Sequence, residues 1–524
     1  MQESNNNSKI DWMFLLFLGG VTNVKLYVKI LTVVIYVFYV VIKHYRFRKP
    51  ISINLFYFLM PVIGLIGAAL HESFSEHSYV IAFAFGTMLW FSAGIVSYLL
   101  LISTENISPV AMHNTLKAFF AINALVSFGE IVKMIIDSGH PIPYWYYGGN
   151  MYYGGATGDH VYGITGNISV TNAVICALGC LYFTFKKELK WAVLCLIVSI
   201  LCTSNLTLIV LLSILALIIL FVKDRTIKKY AVYMCVISGI VYPLLTYDNI
   251  VYLGTVYKED IKYKDYTENE LAIIKNNTDV GWKKEQQFDV TAQTFKQQNT
   301  NYFKTKVSDS FYTTSKSDLK YIIYNGTFDG DKVNSLIPQD GIKRIFVEWY
   351  GMKHEETSLA SYHYPIKLYT YQQSLNYLLS SPCNFIAGAG MGNFSSKQAI
   401  KTTGFGLQGG YPVKDLYVSR DFIEYHLYSL MYVLALPVSE HSIINMPNSI
   451  YNQIAGEYGV LGIVLFIVLY AGFFIKNIKK LRLGIYIALL SFCMFGFDYW
   501  FEMISITVFF ELFLLIFIKE TNAT

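Results

Sequence analysis

The sequence has little charge, and its few cysteines lie almost entirely in apolar segments. Charged residues make up 15% of the 524 residues and hydrophobic residues 54%, a balance typical of membrane proteins. Of the seven cysteines only Cys383 lies outside the apolar runs, so no disulfide framework is expected. The sequence shows no internal repeat of the kind common in transporters, and no cluster of His, Cys and Asp with metal-site spacing. We therefore expect no metal and no cofactor.

What the chain does have is a series of apolar runs, each near the length of about 20 residues that a helix needs to cross hydrocarbon. They lie at residues 25–43, 52–70, 78–103, 113–136, 168–185, 189–204, 205–222, 230–246, 451–475, 483–499 and 503–518. A shorter run at 13–20 predicts either an interfacial helix or half of a broken first span. The pattern predicts an all-α polytopic membrane protein with about 11 to 12 transmembrane helices.

A polar interval, residues 249–447, separates the two blocks of apolar runs. A single large polar loop suggests that the protein acts at one face of the membrane. Four units follow: an N-terminal transmembrane bundle (1–248), a polar insert (249–345), an amphipathic and glycine-rich region (346–450) and C-terminal transmembrane helices (451–524). Alternating residues in Tyr321–Phe328 predict strands around a turn at Asn325-Gly326, so the loop should mix α and β structure.

Basic residues cluster after four of the spans, and cytoplasmic loops carry such an excess of Lys and Arg. The clusters lie at residues 43–49, 186–190, 223–229 and 476–482. Placing them in the cytoplasm makes the interval 249–447 extracytoplasmic. The net charge of +5 resides largely in these loops and implies no nucleic-acid partner.

Within the outer loop, two amphipathic helices are predicted at 365–381 and 421–436, both too short to span a membrane. Between them Gly388, Gly390 and Gly392 alternate, which permits unusual backbone angles and close approach to a ligand.

Three segments together resemble the superfamily of O-antigen polymerases and O-antigen ligases. Asn448 to Gly462, NSIYNQIAGEYGVLG, resembles its C-terminal motif: Ser449, Gly459 and Gly462 match in spacing, and Asn448 stands where the motif has His. The run Ile386 to Phe394 follows an amphipathic helix that carries Lys367, where the family often has Arg. Gly163 to Asn172, GITGNISVTN, resembles the segment at the start of the fifth span, without its preceding Arg. Residues 249–345 match nothing in the family.

The resemblance implies a GT-C-like fold and transfer of an oligosaccharide from a polyprenyl diphosphate at the outer face of the bacterial cytoplasmic membrane. Repeat-unit polymerisation of a surface polysaccharide is our first interpretation, and a ligase of the same superfamily is the nearest alternative. A flippase or other transporter, or a non-catalytic receptor, would be of another class. Partners would be the lipid-linked oligosaccharide, the bilayer, a flippase and a chain-length regulator.

Such chemistry needs cations for the diphosphate and a base or polar group for the acceptor hydroxyl. His441 is the leading candidate for the base because histidine titrates near neutrality, and Asn448 could orient an acceptor hydroxyl. The candidate diphosphate contacts are Lys367, Arg420, Arg344 and Lys414, each of which could instead be a solvated surface cation; the other candidate bases are Glu440, His160 and Glu424. His160 and the glycines and serine of the matched motifs complete the predicted substrate site.

Overall fold

The computed structural model describes residues 10–144, 160–166, 169–246, 366–403, 417–419, 421–426, 429 and 446–523. These ranges form the helices α1 Trp12–Thr22, α2 Leu26–Ile42, α3 Ser52–Leu70, α4 His77–Asn106, α5 Pro109–Ser138, α6 Ser169–Phe185, α7 Leu189–Leu201, α8 Asn205–Phe221, α9 Arg225–Leu245, α10 Ile366–Ser380, α11 Pro382–Ala387, α12 Lys397–Thr403, α13 Ile450–Lys476, α14 Gly484–Phe495 and α15 Ser505–Ala523. Short helical turns occupy Ser73–Ser75, Gly163–Thr165, Phe422–His426, Ile478–Leu481 and Trp500–Met503.

Every apolar run predicted from the sequence coincides with one of these helices. Five of them, α3, α4, α5, α9 and α13, are long and apolar enough to cross a membrane by length and composition. The helices α1, α2, α6, α7, α8 and α14 are apolar but shorter. The described chain is therefore helical, with helix lengths and compositions compatible with a membrane protein. The described residues contain no strand, and the predicted strands at Tyr321–Phe328 lie outside them, as does the whole insert 249–345.

The ends of the long helices follow from local sequence. Ser108 caps α5 by accepting a hydrogen bond from the amide of Ala111, and Pro109 occupies the first turn, where its missing N–H has no cost. Gly139 ends the helix with a φ of 71°, a left-handed conformation that glycine adopts freely. The resulting helix has 30 residues, about 45 Å at 1.5 Å per residue, which is longer than the hydrocarbon core.

Helix α15 is the centre of the bundle. Its residues from 505 to 518 are all buried, which is the pattern of a helix enclosed on every side. Its aromatic rings pack against neighbouring helices. The ring centroid of Phe509 lies 4.7 Å from that of Phe119 in α5, and the ring centroid of Phe513 lies 4.6 Å from that of Tyr182 in α6. Such pairs add to the stabilisation from burial alone.

Helix α1 turns back against α2 and packs one face into the bundle. Phe17 stacks on Tyr36 at 4.4 Å, and a Cβ on Gly20 would overlap Thr32. The pairs Phe17–Tyr36 and Gly20–Thr32 run in opposite directions along the two helices, so the helices are antiparallel. Phe14, Phe17 and Leu18 are fully buried, whereas Trp12 and Leu16 are exposed by 66% and 51%, so α1 packs against the bundle through one face.

The four basic clusters meet at one end of the bundle, which we call the basic end. Arg48 pairs with Glu105 at 3.1 Å, and Lys186 pairs with Glu520 at the end of α15. Lys187 pairs with Asp224 at 2.8 Å, and Thr521 donates to the carbonyl of Lys480 at 2.8 Å. The opposite end, where α2 and α13 begin and α3 ends, we call the loop end.

Candidate functional site

The glycine loop, residues 388–396, joins α11 to α12 and is buried inside the loop end. Gly388, Gly390 and Gly392 have φ angles of 66°, 88° and 79°, a conformation that side chains other than glycine rarely adopt. The alternating glycines therefore set the backbone path. All residues of the loop are buried, and irregular backbone is tolerated within a membrane protein only where protein covers it.

The C-terminal glycine motif is in direct contact with this loop. Helix α13 is broken at Gly459, whose φ of 60° and ψ of −157° are not helical. A Cβ on Gly459 would lie 2.6 Å from the amide nitrogen of Gly388, and a Cβ on Gly388 would lie 2.6 Å from that of Tyr458. The amide of Ala389 donates to the carbonyl of Gly456 at 2.9 Å. The structure thus packs the two predicted glycine segments backbone against backbone.

Helices α3 and α4 enclose the loop from the other side. A Cβ on Gly67 would lie 2.8 Å from the amide nitrogen of Gly390, and a Cβ on Gly86 would lie 2.9 Å from the sulfur of Met391. The hydroxyl of Tyr79 donates to the carbonyl of Met391 at 3.0 Å. The sequence reasoning did not identify these helix glycines, because a glycine in an apolar helix gives no sign of which distant segment approaches it.

Asn448 and Ser449 form the start of α13. Ser449 caps the helix by accepting from the amide of Tyr451 at 3.1 Å, and its hydroxyl lies 2.8 Å from that of Tyr371 in α10. The side-chain amide of Asn448 donates to the Asp498 carboxylate at 3.3 Å. Both residues therefore hold α10, α13 and the segment before α15 together.

Lys367 is buried, with only 6% of its surface exposed. Its ammonium donates to the carbonyls of Met446 at 2.8 Å, Asn448 at 2.6 Å and Phe497 at 3.1 Å. Burial lowers the pKa of Lys367 to about 7, and the neighbouring Asp498 opposes this shift. Since an ammonium has three N–H donors, none is left for a phosphate in this arrangement. The geometry gives Lys367 the part of a clamp between α10, α13 and the Phe497 segment.

The predicted segment at the start of α6 also lies at the loop end. Gly163 donates its amide to Glu130 of α5 at 2.9 Å. The amide of Val24, in the turn between α1 and α2, donates to the carbonyl of Thr165 at 2.8 Å. His160 directly precedes this helical turn. The segment therefore borders the turn from which α2 begins.

The described site residues divide into one group and one outlier. The structure brings together Lys367, Gly388, Gly390, Gly392, Asn448, Ser449, Gly459 and Gly462 around α10, α13 and the glycine loop; His160 lies on the segment before α6. The other predicted site residues lie outside the described residues: Arg344, Lys414, Arg420, Glu440 and His441. Within the described ranges no group of three or more His, Cys, Asp and Glu side chains could hold a metal ion.

A second set of cations, which sequence reasoning missed, lies beside the glycine loop. Lys397 and Lys401 are one turn apart on α12, and Lys29 of α2 lies close enough for its charge to interact with both. The ammonium of Lys29 also donates to the carbonyl of Met503. We call these three residues the lysine cluster. Their available signal was the i,i+4 spacing of two lysines directly after the glycine run.

Two buried carboxyls face this cluster, and both bond elsewhere. Glu502 accepts from the amide of Gln398 at 3.1 Å and from the side chain of Gln453 at 2.9 Å. Burial raises the pKa of Glu502 to about 7 and that of Asp498 above its ordinary value, and the charge of Lys397 opposes both shifts. Burial, with repulsion from Lys397, lowers the pKa of Lys401. A raised carboxyl pKa reduces the negative charge near neutral pH, and the lowered pKa of Lys401 reduces the positive charge of the cluster as well.

Comparison of the chain with protein-family models, with curated proteins and with solved structures found no match.

Proposed function

We propose that this protein transfers an oligosaccharide from a polyprenyl diphosphate to an acceptor, and that it polymerises repeat units of a surface polysaccharide. The observation that carries the proposal is the contact between the glycine loop and the glycine break of α13 at Gly388 and Gly459. These are the two segments that resemble the glycan transferases, and they are far apart in sequence. Their contact is what a shared site built from both motifs requires.

The sidedness of the bundle supports the same proposal. The basic end gathers all four Lys- and Arg-rich clusters, and such clusters are typical of the cytoplasmic face. The loop end then faces outward from the cytoplasmic membrane of a bacterium. A lipid-linked donor, delivered by a flippase, would keep its tail in the bilayer and present its diphosphate at this outer interface.

The chemistry asks three things of the site. Apolar helices must accommodate the polyprenyl tail, donors must stabilise the growing charge on the leaving diphosphate, and a base must take the proton of the acceptor hydroxyl. The leading candidate base is His441, chosen because histidine titrates near neutrality, and the resemblance itself has Asn448 where the motif has His. The buried network of Asn448, Ser449 and Lys367 holds the start of α13.

The test is deletion of the gene in its own host, followed by gel analysis of the surface glycan and complementation with the wild-type gene. A polymerase gives loss of long chains while a single repeat unit remains attached. Loss of all attached glycan instead indicates the ligase activity of the same superfamily and rejects polymerisation. Unchanged chain length and attachment rejects glycan transfer altogether.

A second experiment measures the reaction directly. Purified protein in detergent is incubated with a polyprenyl-diphosphate-linked repeat unit, and products are separated by chain length. Elongation without added nucleotide sugar or metal supports the proposal, and a donor that stays intact in the presence of active, folded protein contradicts it.

A further inference from the structure

The lysine cluster brings three lysine side chains together, and none of them pairs with a carboxylate among the described residues. Lys397 and Lys401 have no hydrogen-bond or ion-pair partner for their ammonium groups among the described residues. Lys29 uses one donor on the carbonyl of Met503. All three side chains are partly buried, where like charges repel more strongly than in water because screening is weaker.

The nearby carboxyls do not relieve this repulsion by pairing. Glu502 directs its oxygens to Gln398 and Gln453, and Asp498 directs one oxygen to Asn448 and to the amide of Tyr499. Neither carboxyl lies within ion-pair distance of a lysine in the part of the chain that the structure describes. Convergent cations without counter-charges are the arrangement that a bound anion stabilises.

The surroundings indicate an anion that belongs to a lipid. Lys29 lies on α2 next to apolar side chains that face outward from the bundle, with Ile30 exposed by 43% and Leu31 by 60%. In a membrane protein such a surface contacts hydrocarbon. A phosphate at the cluster would therefore have its own lipid tail beside α2, and its other side would face the glycine loop, which ends where Lys397 begins α12.

We propose that Lys29, Lys397 and Lys401 bind the diphosphate of a polyprenyl diphosphate lipid at the loop end. This assignment rests on the proposed function and adds the residues that hold the leaving group. Lysine ammonium groups act as point charges on phosphate oxygens. The site has two edges: Lys397 and Lys401 form one from α12, and Lys29 forms the other from α2. Free diphosphate and a phospholipid headgroup share the same chemistry and are distinguished below.

The experiment compares equilibrium binding of three probes to purified protein in detergent: a long-chain polyprenyl diphosphate, inorganic diphosphate and phosphatidylglycerol. The test variant is Lys397→Met combined with Lys401→Met, which keeps the apolar stem of each side chain. The matched control is Lys25→Met, because Lys25 is exposed and lies at the same end of α2. Thermal midpoints establish that each variant is folded.

Wild-type protein should bind the polyprenyl diphosphate more tightly than the other two probes. The double variant should lose roughly 100-fold in affinity, because two charge-assisted contacts are removed, whereas Lys25→Met should stay within about twofold, as expected for an exposed cation. The variant Lys397→Arg with Lys401→Arg should restore binding. If the double variant misfolds, Lys29→Met alone is used, with an expected loss of roughly 10-fold.

Other results overturn the assignment. If the folded double variant binds the polyprenyl diphosphate as tightly as the wild type, the lysine cluster is not its binding site. If phosphatidylglycerol or inorganic diphosphate binds more tightly than the polyprenyl diphosphate, the ligand of the cluster is that other phosphate compound.

The deletion strain separates this inference from the proposed function. If the lysine variants lose lipid binding but the deletion leaves the surface glycan unchanged, the binding site stands and glycan transfer fails. If the deletion abolishes long chains but the double variant restores them fully, glycan transfer stands and the lysine site fails.

Discussion

The two ends of the bundle use their charges in opposite ways. At the basic end, three cations are paired with carboxylates: Arg48 with Glu105, Lys186 with Glu520 and Lys187 with Asp224. At the loop end, Lys397 and Lys401 have no described partner while Asp498 and Glu502 bond to amides. The difference therefore concerns particular residues: the three basic-end pairs are direct ion pairs, whereas the described lysines beside the glycine loop form none with the nearby carboxyls.

The prediction with the largest expected effect is that the loop end faces the cell exterior. Cys383 is exposed on α11 at the loop end, and an impermeant maleimide should label it in intact spheroplasts. Cys383→Ser should remove that labelling. In the Cys383→Ser background, Lys479→Cys at the basic end should react only after the membrane is broken. The reverse pattern would show that the loop end faces the cytoplasm, and it would contradict a reaction at the outer face.

The next effect concerns the glycine contact at the loop end. Gly459→Ala should prevent correct packing, because the backbone there is open only to glycine and the new Cβ would lie 2.6 Å from the amide nitrogen of Gly388. We expect a loss on the order of 3 to 5 kcal/mol in the free energy of unfolding, measured as a fall in thermal midpoint and in yield.

The matched control for that substitution is Gly239→Ala in α9. A Cβ there has no neighbour within 4 Å, and alanine favours a helix by about 0.5 to 1 kcal/mol over glycine. This variant should be neutral or slightly more stable. A Gly459→Ala variant as stable as Gly239→Ala would show that the contact between Gly459 and Gly388 is not formed.

A smaller loss is expected for the buried clamp. Lys367→Ala leaves three carbonyls without their donor, so stability should fall by about 2 to 4 kcal/mol, and transfer should fall together with protein level. Under the proposed function Lys367→Arg should retain activity, since the superfamily that the sequence resembles often carries Arg at this position. Lys133→Ala, an exposed lysine on α5, serves as control. Lost transfer with unchanged stability would return Lys367 to the role of a direct diphosphate contact.

The smallest effect belongs to the basic end. The pair of Arg48 and Glu105 is partly solvent-exposed, with 62% and 26% of the two side chains accessible. Arg48→Ala should therefore cost under about 1 kcal/mol, because water and salt screen such pairs. Thermal unfolding at low and high salt measures it. A loss as large as that of Lys367→Ala would erase the distinction between the two ends.

The helices and their common sidedness could be predicted from sequence, and the site only in part. Apolar runs and basic clusters are local signals, so the positions of helices such as α3 and α13 and the grouping of the basic residues followed directly. The role of Lys367 depends on carbonyls at Met446 and Phe497, and a carbonyl is present at every residue. No sequence pattern marks which of them a lysine will reach.

The lysine cluster was missed for a related reason. Lys29 sits in the first turns of an apolar helix and resembles an ordinary flanking charge, and its proximity to Lys397 arises only when α2 packs beside the segment before α15. The glycine run was identified, but its partners Gly67 and Gly86 are ordinary helix residues in sequence. Long-range contacts decided both cases.

The enclosure of the glycine loop implies an order in which parts of the protein are synthesised and assembled. Tyr79 and Met391 are in contact although 312 residues separate them, so α3 and α4 enter the membrane long before the loop that fills the space between them is synthesised. The space beside Gly67 and Gly86 is filled only when the glycine loop has been made, and the glycine break of α13 then packs against that loop. A ribosome-bound chain that ends before residue 450 therefore has the walls of its site and lacks the helix that closes it. Completion of the site comes late relative to the insertion of α3 and α4.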